Sequence, residues 1–171
     1  MMTLLETVAR LAAVEEATRL ALEGSIAEAC EILAAECRRV IGTYDYGWTP
    51  LKPATIARKA NGDTPLLETG ELRDSIEWNA DEREGYVGSD NPKLIWHEFG
   101  TANIPARPVL GGALEAARPE IEAMLGKIGA AVASGNLAEL RELLHFLKHM
   151  AHEVKEIVEP EDDKNDVKER R

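Results

Sequence analysis

The sequence predicts an α+β fold, with N-terminal and C-terminal helices packed on a small antiparallel β-sheet. Two observations carry this. Apolar residues recur at helical spacing from Leu4 to Ile41 and again from Gly112 onward, the mark of helices with one inward face. Between them polar and apolar residues alternate strictly over residues 75–80. A charged turn and a short run, Gly85-Tyr86-Val87-Gly88-Ser89, follow, which is the pattern of a hairpin.

In chain order, residues 3–23 read as a helix, with Leu4, Val8, Leu11 and Ala12 on one stripe and Glu and Arg elsewhere. Gly24 interrupts the pattern. Ser25 with Glu28 three residues on has the form of a capping box, in which each side chain bonds the other residue's backbone N–H. A second helix is therefore expected from Ser25, its stripe made by Ile26, Ala29, Cys30, Leu33, Cys37, Val40 and Ile41 and its end set by Gly42. Whether Gly24 separates two helices or kinks one is open at this level. Cys30 and Cys37 are seven apart, about 10 Å of helix rise, too far for a disulfide; they read as small buried apolar residues.

Residues 43–65 form a long loop holding Tyr44, Tyr46, Trp48 and Pro50-Leu51, a candidate for mobility in the free protein. Within it Pro53 suits the first turn of a short helix reaching Lys59. In the first strand Ile76, Trp78 and Ala80 face one side. Two strands alone are marginal in water, so further pairing is expected from the Ile104 region or from another subunit. Asp90 or Asn91 can cap a helix with Pro92 in its first turn, running to Phe99 and stopped by Gly100. Residues 101–108 read as an extended, proline-stiffened arm. Residues 112–133 read as a helix with Leu114, Ile121, Leu125 and Ile128 inward. A new start is expected at Pro119, because proline inside a helix costs ~3 kcal/mol. The domain thus spans residues 1–134, of which 1–42 are helical. Asn136 with Glu139 opens a C-terminal helix over 135–158, and 159–171 is a charged tail expected to be disordered.

Composition narrows the function. Net charge is −11, which disfavours nonspecific nucleic-acid binding, since that needs a basic surface; it suits a wall past which DNA slides without sticking. No apolar run approaches the ~20 residues of a membrane span. The N-terminus lacks a basic stretch followed by an apolar one, so no secretory signal is expected and the protein is placed in a cytoplasm.

Three constellations could carry chemistry. His145, His149 and His152 fall on one helix face, and histidines at i, i+4 can share a metal. A structural zinc wants four ligands and no cysteine is near, so a packed or solvated face is the expected reading and no metal or other cofactor is assigned. His97-Glu98 could suggest acid–base work, but neighbours on a helix point ~100° apart, and no nucleophile motif, P-loop or dinucleotide fingerprint is present; no enzyme activity is expected. Trp48, Trp78 and Trp96 read as core or interface anchors. Arg107, held between Pro105 and Pro108, can serve either as a charged contact to a partner or as a tie to Glu98 or a backbone carbonyl. The stretch 95–110 then reads as a structural corner: Trp96 and Phe99 anchor a short helix and Gly100 stops it, and Phe99→Asp is expected to unfold the domain or block assembly.

The ordered series of motifs resembles a known group. Trp48-x-Pro50-Leu51 is followed by Thr55 and Lys59, then Leu66-Leu67-x-Thr69-Gly70-x-Leu72-Arg73-x-Ser75-Ile76 and Val87-Gly88-Ser89. After these come His97-Glu98-Phe99-Gly100-Thr101, Ile104-Pro105-Ala106-Arg107-Pro108 and Ala113-Leu114. Together they resemble tailed-phage virion morphogenesis proteins, the neck or tail-completion proteins of the HK97 gp10-like and Mu gpG-like families. The resemblance covers roughly residues 48–124. It implies a structural virion protein, made and assembled in the bacterial host cytoplasm. Such a protein completes the tail or joins head to tail as a homo-oligomeric ring contacting other neck and tail proteins, with genome DNA passing nearby but not specifically bound, and no membrane. Val109 stands where Phe is usual and Gly111-Gly112 follow where Arg-Pro is common, and both changes are expected to loosen that corner. The competing reading is a cellular acidic adaptor or metal-binding regulator using the His145, His149 and His152 face.

Overall fold

In a computed structural model the structure describes residues 3–81 and 83–136, with 138, 142 and 145. The fold is α+β. Its elements are α1 (Leu4–Val40), α2 (Pro53–Ile56), α3 (Glu71–Asp74), β1 (Glu77–Ala80), β2 (Gly85–Gly88), α4 (Lys93–Phe99) and α5 (Leu110–Ser134). The expected C-terminal helix over 135–158 and the tail over 159–171 lie outside the described residues apart from 138, 142 and 145.

The N-terminal region is one helix of 37 residues, not two. Gly24 continues it. Ser25 is not a cap: it is fully buried and its hydroxyl donates to the Leu22 carbonyl at 2.7 Å, the back-bonding a mid-helix serine uses in place of capping. The capping box that does form has the same spacing one motif earlier. Thr3 Oγ1 accepts the Glu6 N–H at 3.3 Å, and Glu6 Oε2 accepts the Thr3 N–H at 2.7 Å. Thr3 has the extended backbone of a capping residue, φ −76 and ψ 161, whereas Ser25 lies within the helix.

α5 runs antiparallel to α1. Ala34, Cys37 and Val40 near the end of α1 share a core with Val109 and Ala113 at the start of α5. Ala17 and Ala21 share a second core with Ile128 and Ala131 near its end. The facing residues are small, so the two backbones approach closely. This corrects the expected inward face of α5 in part, since Ile128 is buried as expected. Ala113, Ala117, Ile128 and Ala131 are buried, while Leu114 and Leu125 are 46% and 43% exposed. The size of leucine suggested the core, but three of the four buried positions of the seam on α5 are held by alanine. Pro119 does not restart the helix, which continues from Leu110 to Ser134; the residue lies on the exposed side, where a freed carbonyl can bond water.

The sheet among the described residues is the two-stranded hairpin, in the register Glu77 with Gly88 and Trp78 with Val87. Trp78 and Ala80 turn inward and Glu77 and Asn79 outward, as the alternation requires. The Ile104 region adds no strand; Thr101 and Ile104 bond each other's backbone in a tight turn. The hairpin is held instead by α1. Arg38 Nη2 donates to the Ile76 carbonyl at 2.7 Å, Trp78 Nε1 donates to the Glu31 carboxylate, and Ile76 is buried in the main core. Packing on a helix replaces the missing strand. The closest approach is at Gly85, where an added Cβ would lie 2.3 Å from Cys30 Sγ.

Both cysteines are free and buried as expected, and burial pushes the Cys37 thiol up to about 12, which keeps it protonated and unreactive. Loop 43–65 is pinned to its surroundings. Tyr46 Oη donates to Glu36 at 2.7 Å, Tyr44 Oη accepts the Leu51 N–H at 3.1 Å, and the Gly42 N–H donates to the Pro65 carbonyl at 2.8 Å. The helix at Pro53 ends at Ile56, short of the expected Lys59.

Gly85→Ala should destabilise the domain by about 2 kcal/mol, because the methyl must displace α1 or the hairpin. Gly129→Ala, a helical position where an added Cβ meets nothing within 4 Å, should instead stabilise by up to about 1 kcal/mol. Urea denaturation of both variants checks the pair.

Candidate functional site

The motif residues quoted above converge on one corner, where α3, α4, the 101–108 arm and the start of α5 meet loop 43–65. Glu98 holds it together. Its Oε2 accepts the N–H groups of Val109 at 2.7 Å and Leu110 at 3.0 Å, and its Oε1 accepts that of Gly111 at 2.8 Å. These are first-turn donors of α5 that have no partner within the helix. One carboxylate thus satisfies three of them and sits at the positive end of the helix dipole. Glu98 is a capping residue supplied from another helix, and this, with no bond to the His97 side chain, is what its carboxylate does.

Val109 and Gly112 do not loosen this corner, contrary to expectation. Val109 is fully buried in the main core. A Cβ at Gly112 would lie 2.3 Å from the Tyr46 ring, so glycine lets loop 43–65 rest directly on α5. Tyr46 in turn meets Trp48 edge to face, with ring centroids 5.7 Å apart. Gly100 ends α4 at φ +73, and a Cβ there would lie 2.9 Å from the Ala106 nitrogen. Only glycine lets the arm fold back against the end of α4.

The arm places Arg107 inward. It is 5% exposed. Its N–H donates to the His97 carbonyl at 2.6 Å and its Nη2 to the Thr49 carbonyl at 2.8 Å. Of the two readings of Arg107, the tie to a backbone carbonyl is present, and the tie to Glu98 is not. Its buried Nε has no hydrogen-bond partner, and neither do His97 Nδ1 and Trp48 Nε1. A buried guanidinium without a carboxylate is costly, by several kcal/mol in typical interiors. Burial, and next the Arg107 charge, push the His97 imidazole below its ordinary 6.5, so it is neutral at pH 7.

The remaining motif residues are structural. Leu72 and Ile76 are buried. Gly70 starts α3 at φ +91, and Thr69 Oγ1 accepts the Glu71 N–H at 3.4 Å. Ser75 and Ser89 share a hydroxyl bond at 2.7 Å that closes the base of the hairpin beside Gly88. Asn91 Oδ1 accepts the Lys93 N–H at 3.1 Å and so starts α4. Thr101 Oγ1 accepts the Ile104 N–H at 3.1 Å and holds the turn that leads to Pro105.

Trp96 and Phe99 are not core anchors. α4 buries Leu94 and turns Ile95, Trp96 and Phe99 outward, at 62%, 48% and 79% exposure. Of the two outcomes expected of Phe99→Asp, unfolding loses its basis, because the ring has little to lose on the inside, and blocked assembly stands as the expected one. Apolar identity alone could not tell which side of a seven-residue helix the core would take.

Behind α4 lies a cavity of about 650 Å³ lined by Leu51, Lys52, Arg58, Lys59, Leu66, Glu68, Glu71, Lys93, His97, Pro105 and Arg107 among others. Many of its lining residues belong to the motif series, but their convergence on one cavity had no local signal, because its walls come from separated segments. Leu66 on its wall is held at φ +64, the one non-glycine residue described there, a conformation that costs roughly 1–2 kcal/mol. Of the histidine face, His145 is exposed, and His149 and His152 lie outside the described residues. Among the described residues no cluster of His, Cys, Asp or Glu could hold a metal, and no helix is long and apolar enough to cross a membrane. Neither family models, nor curated proteins, nor solved structures give a match to the chain.

Two outcomes test the corner. Glu98→Ala should cost about 2 kcal/mol by leaving the α5 donors unpaired, measured by urea denaturation. For His97 the folded pKa is below the unfolded one, so its neutral form favours folding. That stability is present above pH 6.5 and is lost as pH falls below 6.5 toward the folded value. His97→Asn should flatten the stability profile in that window, read from thermal melts between pH 5 and 8.

Proposed function

We propose that the protein is a structural component of a tailed-phage or prophage virion neck. It completes the tail or joins it to the head through ring-like contacts between copies and with other neck and tail proteins. It is made and assembled in the host cytoplasm and works without turning over a substrate. The observation that carries the reading is the ordered motif series from Trp48 to Leu114. What supports it physically is the use to which the corner puts those residues. Glu98, Gly100 and Arg107 spend their bonding on fixing α4, and α4 then shows Ile95, Trp96 and Phe99 to the outside. Phe99 lies four residues from Ile95 and three from Trp96, so its ring adjoins both on the helix surface. Large apolar rings on a rigid mount are typical of anchors that fill a pocket on a neighbouring protein. A heterologous contact repeated by rotation closes into a ring, and the acidic surface suits a wall that DNA passes without adhering.

The test separates fold from assembly. Phe99→Asp and Trp96→Ser should leave stability within about 0.5 kcal/mol of the parent, as surface changes do, yet fail to restore infectious particles to a phage lacking the gene. Normal yields of joined particles from both variants would overturn the reading.

A further inference from the structure

The cavity behind α4 is cationic in a protein whose net charge is −11. Lys52, Arg58, Lys59, Lys93 and Arg107 line it against two carboxylates. Those two are already engaged: Glu68 lies 3.2 Å from Lys59 Nζ and Glu71 lies 2.8 Å from Lys93 Nζ. Arg107, Lys52 and Arg58 have no carboxylate within ion-pair distance among the described residues. Arg58 Nε reaches only the Ala54 carbonyl. Arg107 is 5% exposed, with Nε unpartnered, a charge taken from water and given one carbonyl in return.

We propose that this cavity binds an acidic peptide segment of a partner protein, with Arg107 at its floor and Lys52 and Arg58 at its mouth receiving the carboxylates. The Arg107 guanidinium keeps one nitrogen on the Thr49 carbonyl, and its uncompensated charge favours a carboxylate brought to the cavity wall. The three unpaired cations come from a loop, the turn after α2 and the proline arm, so one carboxylate does not answer all of them and a run of acidic side chains does. Leu51, Ile104 and Pro105 give apolar wall for the intervening carbon chain. The volume is within the range of sites that enclose a ligand or a few side chains. Because the chain as a whole repels anions, such a peptide is attracted only where this local excess of positive charge faces it. The inference goes beyond the neck reading and concerns the opposite side of α4 from the aromatic face.

The test is fluorescence anisotropy of a labelled peptide, acetyl-Leu-Asp-Glu-Asp-Leu-amide, with the whole protein. The expected result is saturable binding that is absent when the acidic residues of the peptide are replaced by their amides. Binding should weaken about tenfold or more in the exposed double variant Lys52→Gln, Arg58→Gln, and remain unchanged in Lys127→Gln on α5. Arg107→Gln should abolish binding; if that variant does not fold, the mouth variants decide alone. Equal binding of the amide peptide, or equal loss in Lys127→Gln, would overturn the proposal. So would saturable binding of citrate or inorganic phosphate in titration calorimetry without any of the peptide, which would make it a small-anion site. Loss of particle assembly in the Phe99 variant and loss of peptide binding are separate readouts, so either proposal can fail without the other.

Discussion

The corner depends on one carboxylate. Without Glu98 the first turn of α5 would start beside the core with three donors unpaired; water can reach the exposed Gly111 N–H, so the part-buried Val109 and Leu110 groups carry the cost, about 2 kcal/mol together. With it, α4 and α5 are locked at their ends, and the ten residues between the helices have to close a short circuit. That closure is why Gly100 must turn back at positive φ and why Arg107 is carried inward. The prolines stiffen an arm whose two ends are fixed, so the inward direction of the guanidinium follows from chain geometry. The aromatic face of α4 and the cationic cavity behind it are two sides of the same fixed helix.

Much of the fold was legible because periodicity reports which side of an element is dry. The hairpin alternation, the Asn91 side-chain bond to the Lys93 N–H at the entry to α4 and the stop at Gly100 all have local causes within a few residues, and all three are present. The failures share a different cause. Ser25 with Glu28 satisfies a local rule, but a serine hydroxyl can equally bond back within a helix, and at the fully buried Ser25 it does so. Leu114 and Leu125 lost the core to Ala113 and Ala117 because seam width is a property of two helices together.

The site was less legible than the fold. Residues 95–110 stood out, and the stop at Gly100 and the carbonyl tie of Arg107 match the reading, yet Trp96 and Phe99 turn outward and the partner of each polar group was not foreseen. Glu98 bonds residues eleven to thirteen positions on, and Arg107 bonds Thr49 across 58. Gly112 looked like a loosening and proved to be a requirement for Tyr46. The cavity itself had no sequence signal, since its cations are single lysines and arginines from separate loops and α4 whose convergence only the fold produces.

The division of the interior into two cores has a kinetic side. The core around Val40, Trp48 and Ile76 is built from segments close in sequence to the hairpin, except for its contact with the start of α5. The alanine seam joins Ala17 and Ala21 to Ile128 and Ala131, from opposite ends of the described chain. Contacts of that span form late, once the intervening chain has been shortened by structure. They also bury little area per residue, so they are the first to open. The far ends of α1 and α5 therefore form a unit that can separate and re-close while the corner stays intact. In amide exchange the α1 residues before Ala21 would be labelled long before those that carry the hairpin.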